Sequence, residues 1–136
     1  MDLVKTLAIS ASGMKAQGAR LRVIAENIAN ADSVGDTKDG EPYRRKLITF
    51  KNTLDRATGV DTVRVNRVTT DKAEFPKRYD PSHPAADGDG YVRMPNVRSL
   101  MEVMDMREAE RSYEANLRMI ESAKQMLQRT IDVLRG

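Results

Sequence analysis

Residues 97–135 read VRSLMEVMDMREAERSYEANLRMIESAKQMLQRTIDVLR, a run that contains neither proline nor glycine. Apolar side chains recur in it every seven residues, which predicts a helix with a coiled-coil seam. At 1.5 Å per residue the helix is about 60 Å long, more than the diameter of a compact domain of this size. The predicted seam consists of Met106, Tyr113, Ile120, Leu127 and Leu134, with Leu117 and Ile131 on one shoulder and Ala109 and Ala123 on the other.

Residues 2–30 show the same helical period at the other end of the chain. Alanines and glycines flank this second seam. Such small side chains let helices approach closely, but they provide little apolar area for a hydrophobic core within the single chain. Asn30 is predicted to end the helix, and Asn27 to cap it or to bind the backbone of a neighbour. The seam consists of Leu7, Met14, Leu21 and Ile28, with Leu3 and Ile24 in the companion position.

The middle of the chain holds all five prolines and most of the turn-forming residues. Tyr43–Phe50 and Val60–Thr70 have strand character, and the residues from Tyr79 to Gly90 predict an extended, ordered loop. For the last helix, Asn96 is a good N-cap, and Ser99 with Glu102 fits a capping box.

The predicted fold is therefore mainly α, with a short β-hairpin or sheet and an extended loop between two long helices that pack as a coiled-coil-like pair. The chain divides into an N-terminal helix (1–31), a β-rich middle (32–95) and a C-terminal helix (96–136), with 1–31 and 96–136 forming one discontinuous domain. An isolated helix of this kind is marginal in water. Two alternatives stay open for the two terminal helices. They become ordered by association with other copies, or they form a helical hairpin that packs on the sheet of their own chain.

Composition excludes several classes of protein. The chain has 136 residues, a net charge of +3 and no cysteine, which excludes disulfides and cysteine-ligated zinc. Charges are balanced within each segment, so no basic stripe predicts nucleic-acid binding. No apolar run reaches the roughly 20 residues of a membrane span, and the N-terminus lacks a cleavable secretory signal.

No residue pattern predicts catalysis, a metal site or a cofactor. His83, the only histidine, lies in a proline-rich loop without a second histidine or cysteine to assist it. The run from Asp87 to Gly90 does not meet the EF-hand pattern and predicts a tight turn. Arg44, Arg45 and Lys46 could bind an anionic partner or lie on a solvated strand face, but we favour salt bridges to the carboxylates of an adjacent subunit. The ordinary interpretation of the methionines is adaptable packing, and they are Met101, Met104, Met106, Met119 and Met126.

Several motifs carry a family resemblance. The sequences SASGM (10–14) and VIAENIANAD (23–32) resemble the N-terminal signature of flagellar rod, hook and related axial proteins. YRRK (43–46), YDPSHP (79–84), DGDGYVRMPNV (87–97) and RSYEAN (111–116) resemble the proximal-rod branch of the basal-body rod family. The signature-loop residues are Tyr79, Pro81, His83, Pro84, Gly90, Tyr91, Pro95 and Asn96. Residues 34–42 depart from the small, glycine-rich stretch usual in the family.

The resemblance implies a non-enzymatic subunit of the proximal rod in the flagellar basal body, which spans the periplasm. Such a subunit is exported by the flagellar type III apparatus without a cleaved signal, and its terminal helices form a layer around the export channel. The implied partners are other proximal rod proteins, the distal rod protein and further copies of the chain. The alternatives are a soluble helical adaptor or secretion chaperone, and a nucleic-acid-binding module.

Overall fold

The computed structural model describes residues 2–37 and 39–136. Two long helices, α1 (Leu3–Ala29) and α2 (Ser99–Arg135), enclose four strands in the sequence. The strands form two separate two-stranded sheets, β1–β2 and β3–β4. The predicted fold class is confirmed. The strands are β1 (Lys46–Asp55), β2 (Val60–Thr70), β3 (Lys77–Tyr79) and β4 (Tyr91–Arg93).

Local hydrogen bonds explain where α1 begins and ends. The Asp2 carboxylate accepts hydrogen bonds from the amides of Val4 (2.9 Å) and Lys5 (3.3 Å), as an N-cap does. At the other end the Asn30 side chain donates to the carbonyl of Glu26 at 2.9 Å, in the last turn of the helix. The prediction that Asn30 ends the helix is therefore confirmed.

The first sheet is a hairpin. Its turn closes through a hydrogen bond from the Gly59 amide to the Asp55 carbonyl (2.7 Å), with Gly59 at φ +71°. Positive φ is inexpensive only for glycine, which explains its place there. The bounds predicted for β2 are confirmed, whereas β1 begins at Lys46 rather than at Tyr43. The preceding side chains instead donate hydrogen bonds to residues distant in the sequence, as seen for Tyr43, Arg44 and Arg45.

The second sheet corrects the prediction of an extended loop over Tyr79–Gly90. Tyr79 and Tyr91 lie opposite each other in antiparallel strands, where Arg78 also pairs with Val92 and Lys77 with Arg93. Backbone hydrogen bonds from Asp80 to Gly90 (2.9 Å) and from Asp87 to Tyr91 (2.9 Å) close the connection. The residues between the strands form turns, as their proline and glycine content predicts.

The predicted caps of α2 are wrong. Asn96 lies three residues before the helix, and its side chain bonds the backbone of Arg45, Asp71 and Ala73. Glu102 does not return to the start of the helix, because its carboxylate binds Asn27 and Arg45. Both side chains thus bind residues distant in the sequence instead of capping α2.

The chain divides into two compact units. Unit 1 comprises the chain up to Leu21, Thr49–Arg67 and Arg107–Gly136, and unit 2 comprises Arg22–Ile48 and Val68–Met106. Each unit therefore takes residues from α1, from the middle of the chain and from α2. No helix in the described part of the chain is long and apolar enough to cross a membrane.

Candidate functional site

A buried polar junction lies in unit 2, where the end of α1 meets the start of β1. Asn27 is only 1% exposed. Its amide nitrogen donates to the Lys46 carbonyl (3.0 Å) and to Glu102 Oε2 (3.3 Å). Its oxygen accepts from the Lys46 amide (2.9 Å) and from the Tyr43 hydroxyl (2.8 Å). The side chain therefore uses both donors and both acceptors, which removes the penalty of burying it. Asn27 thus binds its own chain and does not cap the helix.

Arg45 supplies the positive charge of this junction. Its guanidinium donates to the Glu102 carboxylate, which is 1% exposed, and to Asp71 (3.4 Å), and it lies 3.8 Å from Asp105. Burial lowers the pKa of Arg45, but the hydrogen bond and charge of Glu102, with those of Asp71, outweigh this and raise it overall. Burial, followed by the charges of Glu26 and Glu102, raises the pKa of Tyr43. Arg45 stays charged and Tyr43 stays neutral at physiological pH.

Two further side chains attach the segment after β2 to the same junction. Asn96 accepts from the Arg45 amide (2.7 Å) and donates to the carbonyls of Asp71 (3.0 Å) and Ala73 (3.2 Å). Arg44 donates to the same two carbonyls and lies 4.2 Å from the centre of the Phe75 ring. Arg45 thus forms its salt bridges within its own chain, and Arg44 binds carbonyls and an aromatic face. The predicted salt bridges to an adjacent subunit stay a prediction.

The signature loop is an ordered element of unit 2. Gly90 is buried at φ +86°, and a Cβ there would lie 2.9 Å from the Tyr79 ring and 3.1 Å from Pro81. The rings of Tyr79 and Tyr91 meet edge to face at 5.3 Å, and both remain exposed. Only glycine fits at position 90, so this motif fixes a specific loop conformation.

Polar contacts inside the signature loop are local. Asp87 accepts from the amides of Asp89 and Tyr91, each at 2.9 Å, and the bond from Tyr91 is the main cause of its lowered pKa. His83 accepts through Nδ1 from the Ala85 amide at 2.9 Å, as a local loop residue does. Of the remaining signature residues, Pro95 is buried, Pro81 and Pro84 are exposed, and Asn96 reaches the junction.

In unit 1 the two helices pack through small residues. A Cβ on Gly13 would lie 2.7 Å from the Asn116 side chain, whereas one on Gly18 would lie 4.0 Å from Tyr113. Arg20 pairs with Glu108 at 3.7 Å. Because residue numbers rise along α1 as they fall along α2, the helices run antiparallel here. The buried apolar residues of the two helices in unit 1 are Ala16, Ala109 and Ala123.

The residues of the predicted seams differ in burial. Ile24 is buried, while Leu7, Met14, Leu21 and Ile28 on α1 and Met106, Tyr113 and Ile120 on α2 are half-buried. Leu117, Leu127, Ile131 and Leu134 are exposed. The buried line of α2 runs through Glu102, Ala109 and Ala123, on the small-residue shoulder of the predicted seam. The sevenfold spacing of these residues is the sequence signal for this line, and packing of the predicted seam against other subunits stays a prediction.

The C-terminal end of α2 is an exposed apolar surface. Every residue from Lys124 to Gly136 is exposed. Val133 and Leu134 are 79% and 82% exposed. Monomeric soluble proteins rarely leave such a stretch uncovered. Its apolar members are Met126, Leu127, Ile131, Val133 and Leu134.

The described residues, 2–37 and 39–136, include no group of three or more histidine, cysteine, aspartate or glutamate side chains placed to hold a metal ion. The exposed features of the chain are helix faces, a hairpin and turns, which suit contact with other proteins.

Comparison with known proteins gives consistent matches. Residues 7–35 match the family model described as flagella basal body rod protein, and residues 89–133 match that of the flagellar basal body rod FlgEFG protein C-terminal region. The chain is 50% identical to the flagellar basal-body rod protein FlgC of Agrobacterium fabrum, over 94% of this chain and 92% of that protein. It is 39% identical to FlgC of Salmonella typhimurium (96% and 97% covered) and 40% identical to FlgC of Aquifex aeolicus (97% of each).

Proposed function

Because the chain belongs to the FlgC family of flagellar basal-body rod proteins, we propose that it polymerises through its terminal helices into the proximal part of the rod. The chain is a structural subunit of the basal-body rod, which confirms the function and the family predicted from its motifs. In the proposed assembly the rod is a tube that transmits torque and surrounds the export channel. The segments 1–31 and 96–136 then act together as one layer of that tube.

The exposed apolar end of α2 carries this proposal. From Lys124 onward the helix has no buried residue, yet it keeps five large apolar side chains. Burying each of them on a neighbouring subunit would stabilise the contact by about 1.5–3 kcal/mol. Association with other rod subunits therefore accounts for a surface that the isolated chain leaves in water.

The mechanism is mechanical rather than catalytic. Heterologous contacts repeat as an open helix instead of closing into a ring, which suits a shaft. The hydrogen bonds of Asn27 and Arg45 with Glu102 join the end of α1 and the segment before β1 to the start of α2. Because hydrogen bonds are directional, they resist movement of these segments relative to each other. In this proposal the exposed pair Tyr79 and Tyr91 of the signature loop contacts neighbouring subunits and determines the position of the subunit along the rod.

The proposed partners follow from the same assembly. Other proximal rod proteins, the distal rod protein and further copies of the chain would cover the helix faces. The flagellar type III export apparatus would deliver the subunit to the basal body, without a cleaved signal. Exposed methionines at positions 101, 104, 119 and 126 suit contact with non-identical neighbours, because the methionine side chain adapts to different surfaces.

The test places an aspartate in the exposed end of α2, as Ile131→Asp or Leu134→Asp. A bacterium that lacks its own copy of the gene produces each variant, and swimming in soft agar and rod assembly are scored. We expect loss of both, while the melting temperature of the purified monomer stays within about 2 °C, since these side chains lie in water before assembly. Gln125→Asp, at an exposed polar position of the same segment, is the matched control.

Normal swimming and normal rods with Leu134→Asp would overturn the proposal. A compact, protease-resistant monomer or closed dimer that is absent from purified basal bodies would instead support the adaptor or chaperone alternative.

A further inference from the structure

Two exposed surfaces of the chain carry opposite charge, and the first is the hairpin in unit 1. Residues 49–67 contain four basic and two acidic side chains, a net charge of +2. All four basic side chains are exposed. They are Lys51, Arg56, Arg64 and Arg67.

The strand register concentrates this positive charge. Thr62 Oγ1 donates to the Thr53 carbonyl (3.0 Å), and Asn66 Nδ2 donates to Thr49 Oγ1 (3.4 Å). Lys51 lies midway between the two threonines at 49 and 53, and Arg64 lies midway between Thr62 and Asn66. Because side chains two residues apart share a face of a strand, Lys51 and Arg64 are cross-strand neighbours.

Like charges in this position destabilise a hairpin, so the arrangement calls for an anionic partner. Asp55 supplies the one carboxylate on the strand face of Lys51 and Arg64, whereas Asp61 lies on the opposite face. The pKa of Asp55 is lowered chiefly by the backbone amide of Ala57 and by Thr58, and to a smaller extent by the charge of Arg64. A single carboxylate that already accepts these hydrogen bonds leaves most of the positive charge of the hairpin facing solvent.

The second surface is the loop between α1 and β1, in unit 2. Residues 32–41 contain four acidic residues and one lysine, a net charge of −3. All four acidic side chains are exposed. They are Asp32, Asp36, Asp39 and Glu41.

Backbone contacts join the described residues of this acidic loop, 32–37 and 39–41. The Tyr43 amide donates to the Ser33 carbonyl (2.8 Å), and the Gly40 amide donates to the Thr37 carbonyl (3.0 Å). A Cβ on Gly35 would lie 2.6 Å from the Gly40 carbonyl oxygen, so the two sides of the loop are in close contact. The described parts of the loop therefore lie close together, and their four carboxylates are exposed.

We propose that the basic hairpin of one copy docks on the acidic loop of a second copy of this chain. The inference rests on the proposed function, because it requires copies that meet in the rod. Two different patches of one chain with opposite charge make a heterologous contact, which repeats from copy to copy along a helix. Exposed ion pairs are weak singly, so this contact selects and orients neighbours whose helices supply most of the burial.

The charge pattern favours a second copy over a nucleic acid. Two aspartates, Asp55 and Asp61, interrupt the basic surface of the hairpin and would repel a phosphate backbone. The net charges of the two patches, +2 and −3, nearly cancel each other. A second copy of the chain therefore supplies a patch of opposite charge to each patch of the first.

The experiment reverses each patch separately. One variant carries Lys51→Glu and Arg64→Glu, and the other carries Asp36→Lys and Asp39→Lys. Each is produced alone, and then both together, in a bacterium that lacks its own copy of the gene. Lys51→Arg with Arg64→Lys is the charge-preserving control.

Alone, each reversed variant faces copies of itself with like charge, and we expect the fraction of swimming cells to fall roughly tenfold or more. Produced together, each variant offers the patch that the other needs, and we expect swimming to return. Rescue in trans also shows that both variants fold. The charge-preserving control should swim normally.

Cross-linking adds a direct test, because the chain has no cysteine of its own. Asn66→Cys and Thr37→Cys, on separate copies, should yield a covalent dimer in basal bodies. Full swimming of both reversed variants, failed rescue when both are present, or absence of that dimer would overturn the contact. Failure of the unaltered chain to restore swimming would overturn the proposed function itself and the contact with it.

Discussion

The two units of the chain bury different kinds of side chain. Unit 1 buries small residues, whereas unit 2 buries a polar network beside larger apolar groups. The buried residues of unit 1 include Ser10, Ala16, Thr62, Ala109 and Ala123, and those of unit 2 include Ile24, Asn27, Val92, Pro95 and Glu102.

The difference shows how each unit is stabilised. Small side chains let helices approach, but they remove little apolar area from water, so the stabilisation per residue is low. A buried network of satisfied hydrogen bonds holds a single geometry and is costly to break. We therefore expect unit 2 to be the more stable unit of the free subunit, and unit 1 to gain much of its stability from neighbouring subunits.

Hydrogen–deuterium exchange on the purified monomer gives the largest expected contrast between the units. Helical amides of unit 2, at the end of α1 and the start of α2, should exchange roughly 100-fold more slowly than those of unit 1. The segments to compare are 22–29 and 99–106 against 3–21 and 107–135. Equal and strong protection along both helices would instead indicate a self-sufficient helical hairpin and would favour the adaptor alternative.

Replacing Glu102 tests the polar junction of unit 2. Glu102→Ala removes the buried carboxylate that Asn27 and Arg45 share and leaves Arg45 only its longer contacts with Asp71 and Asp105. We expect a loss of about 2–3 kcal/mol in the free energy of unfolding. Urea denaturation monitored by exchange in unit 2 measures this loss.

Glu108→Ala is the matched control for that substitution. Glu108 also pairs with an arginine, but its side chain is 70% exposed, so its loss should change stability by less than about 1 kcal/mol. Equal effects of the two substitutions would show that the burial of Glu102 has no energetic consequence.

Enlarging Gly13 tests the close helix contact of unit 1. Gly13→Leu places a side chain where Asn116 already lies, and we expect a loss of about 1–3 kcal/mol from forced separation of the helices. Gly18→Ala meets nothing nearer than 4.0 Å and should be neutral, or stabilising by up to about 1 kcal/mol through helix propensity. Thermal unfolding of the two variants side by side decides between these outcomes.

The smallest expected effect is a pH dependence in the signature loop. The Tyr91 amide, as the main cause, lowers the pKa of Asp87, so the carboxylate stabilises the loop above its ordinary pKa of about 4. That contribution is lost as the pH falls below about 4, through the lowered pKa of the folded state. The amide signals of Asp89 and Tyr91 should then shift together in NMR spectra. Asp87→Asn should remove this titration, and an unchanged titration would contradict the assignment.

The sequence predicted the elements that depend on local pattern. Helical periodicity identified both helices, the spacing of valines identified β2, and Asn30 marked the end of α1. The motif DGDGYVRMPNV led to the family before any contact was known. These signals predict structure correctly because each depends only on residues that lie close together in the sequence.

The contacts that hold unit 2 could not be predicted in this way. Glu102 looked like a local cap, but its partners Asn27 and Arg45 lie 75 and 57 residues away. Asn96 also looked like a cap and instead joins the segments around Arg45 and Asp71. A polar side chain binds the strongest partner that folding brings to it, and a single sequence does not show which partner that is.

The sequence by itself therefore determined the helices, the hairpin, the turns and the family, since backbone preference and apolar spacing act over a few residues. The tertiary structure alone decided which helix face is buried. Close packing favoured the line of Ala109 and Ala123 and left Leu127, Ile131 and Leu134 in water. The physical reason is that small residues allow close approach of two helices within one chain, whereas large apolar residues beyond that contact can be covered only by another molecule.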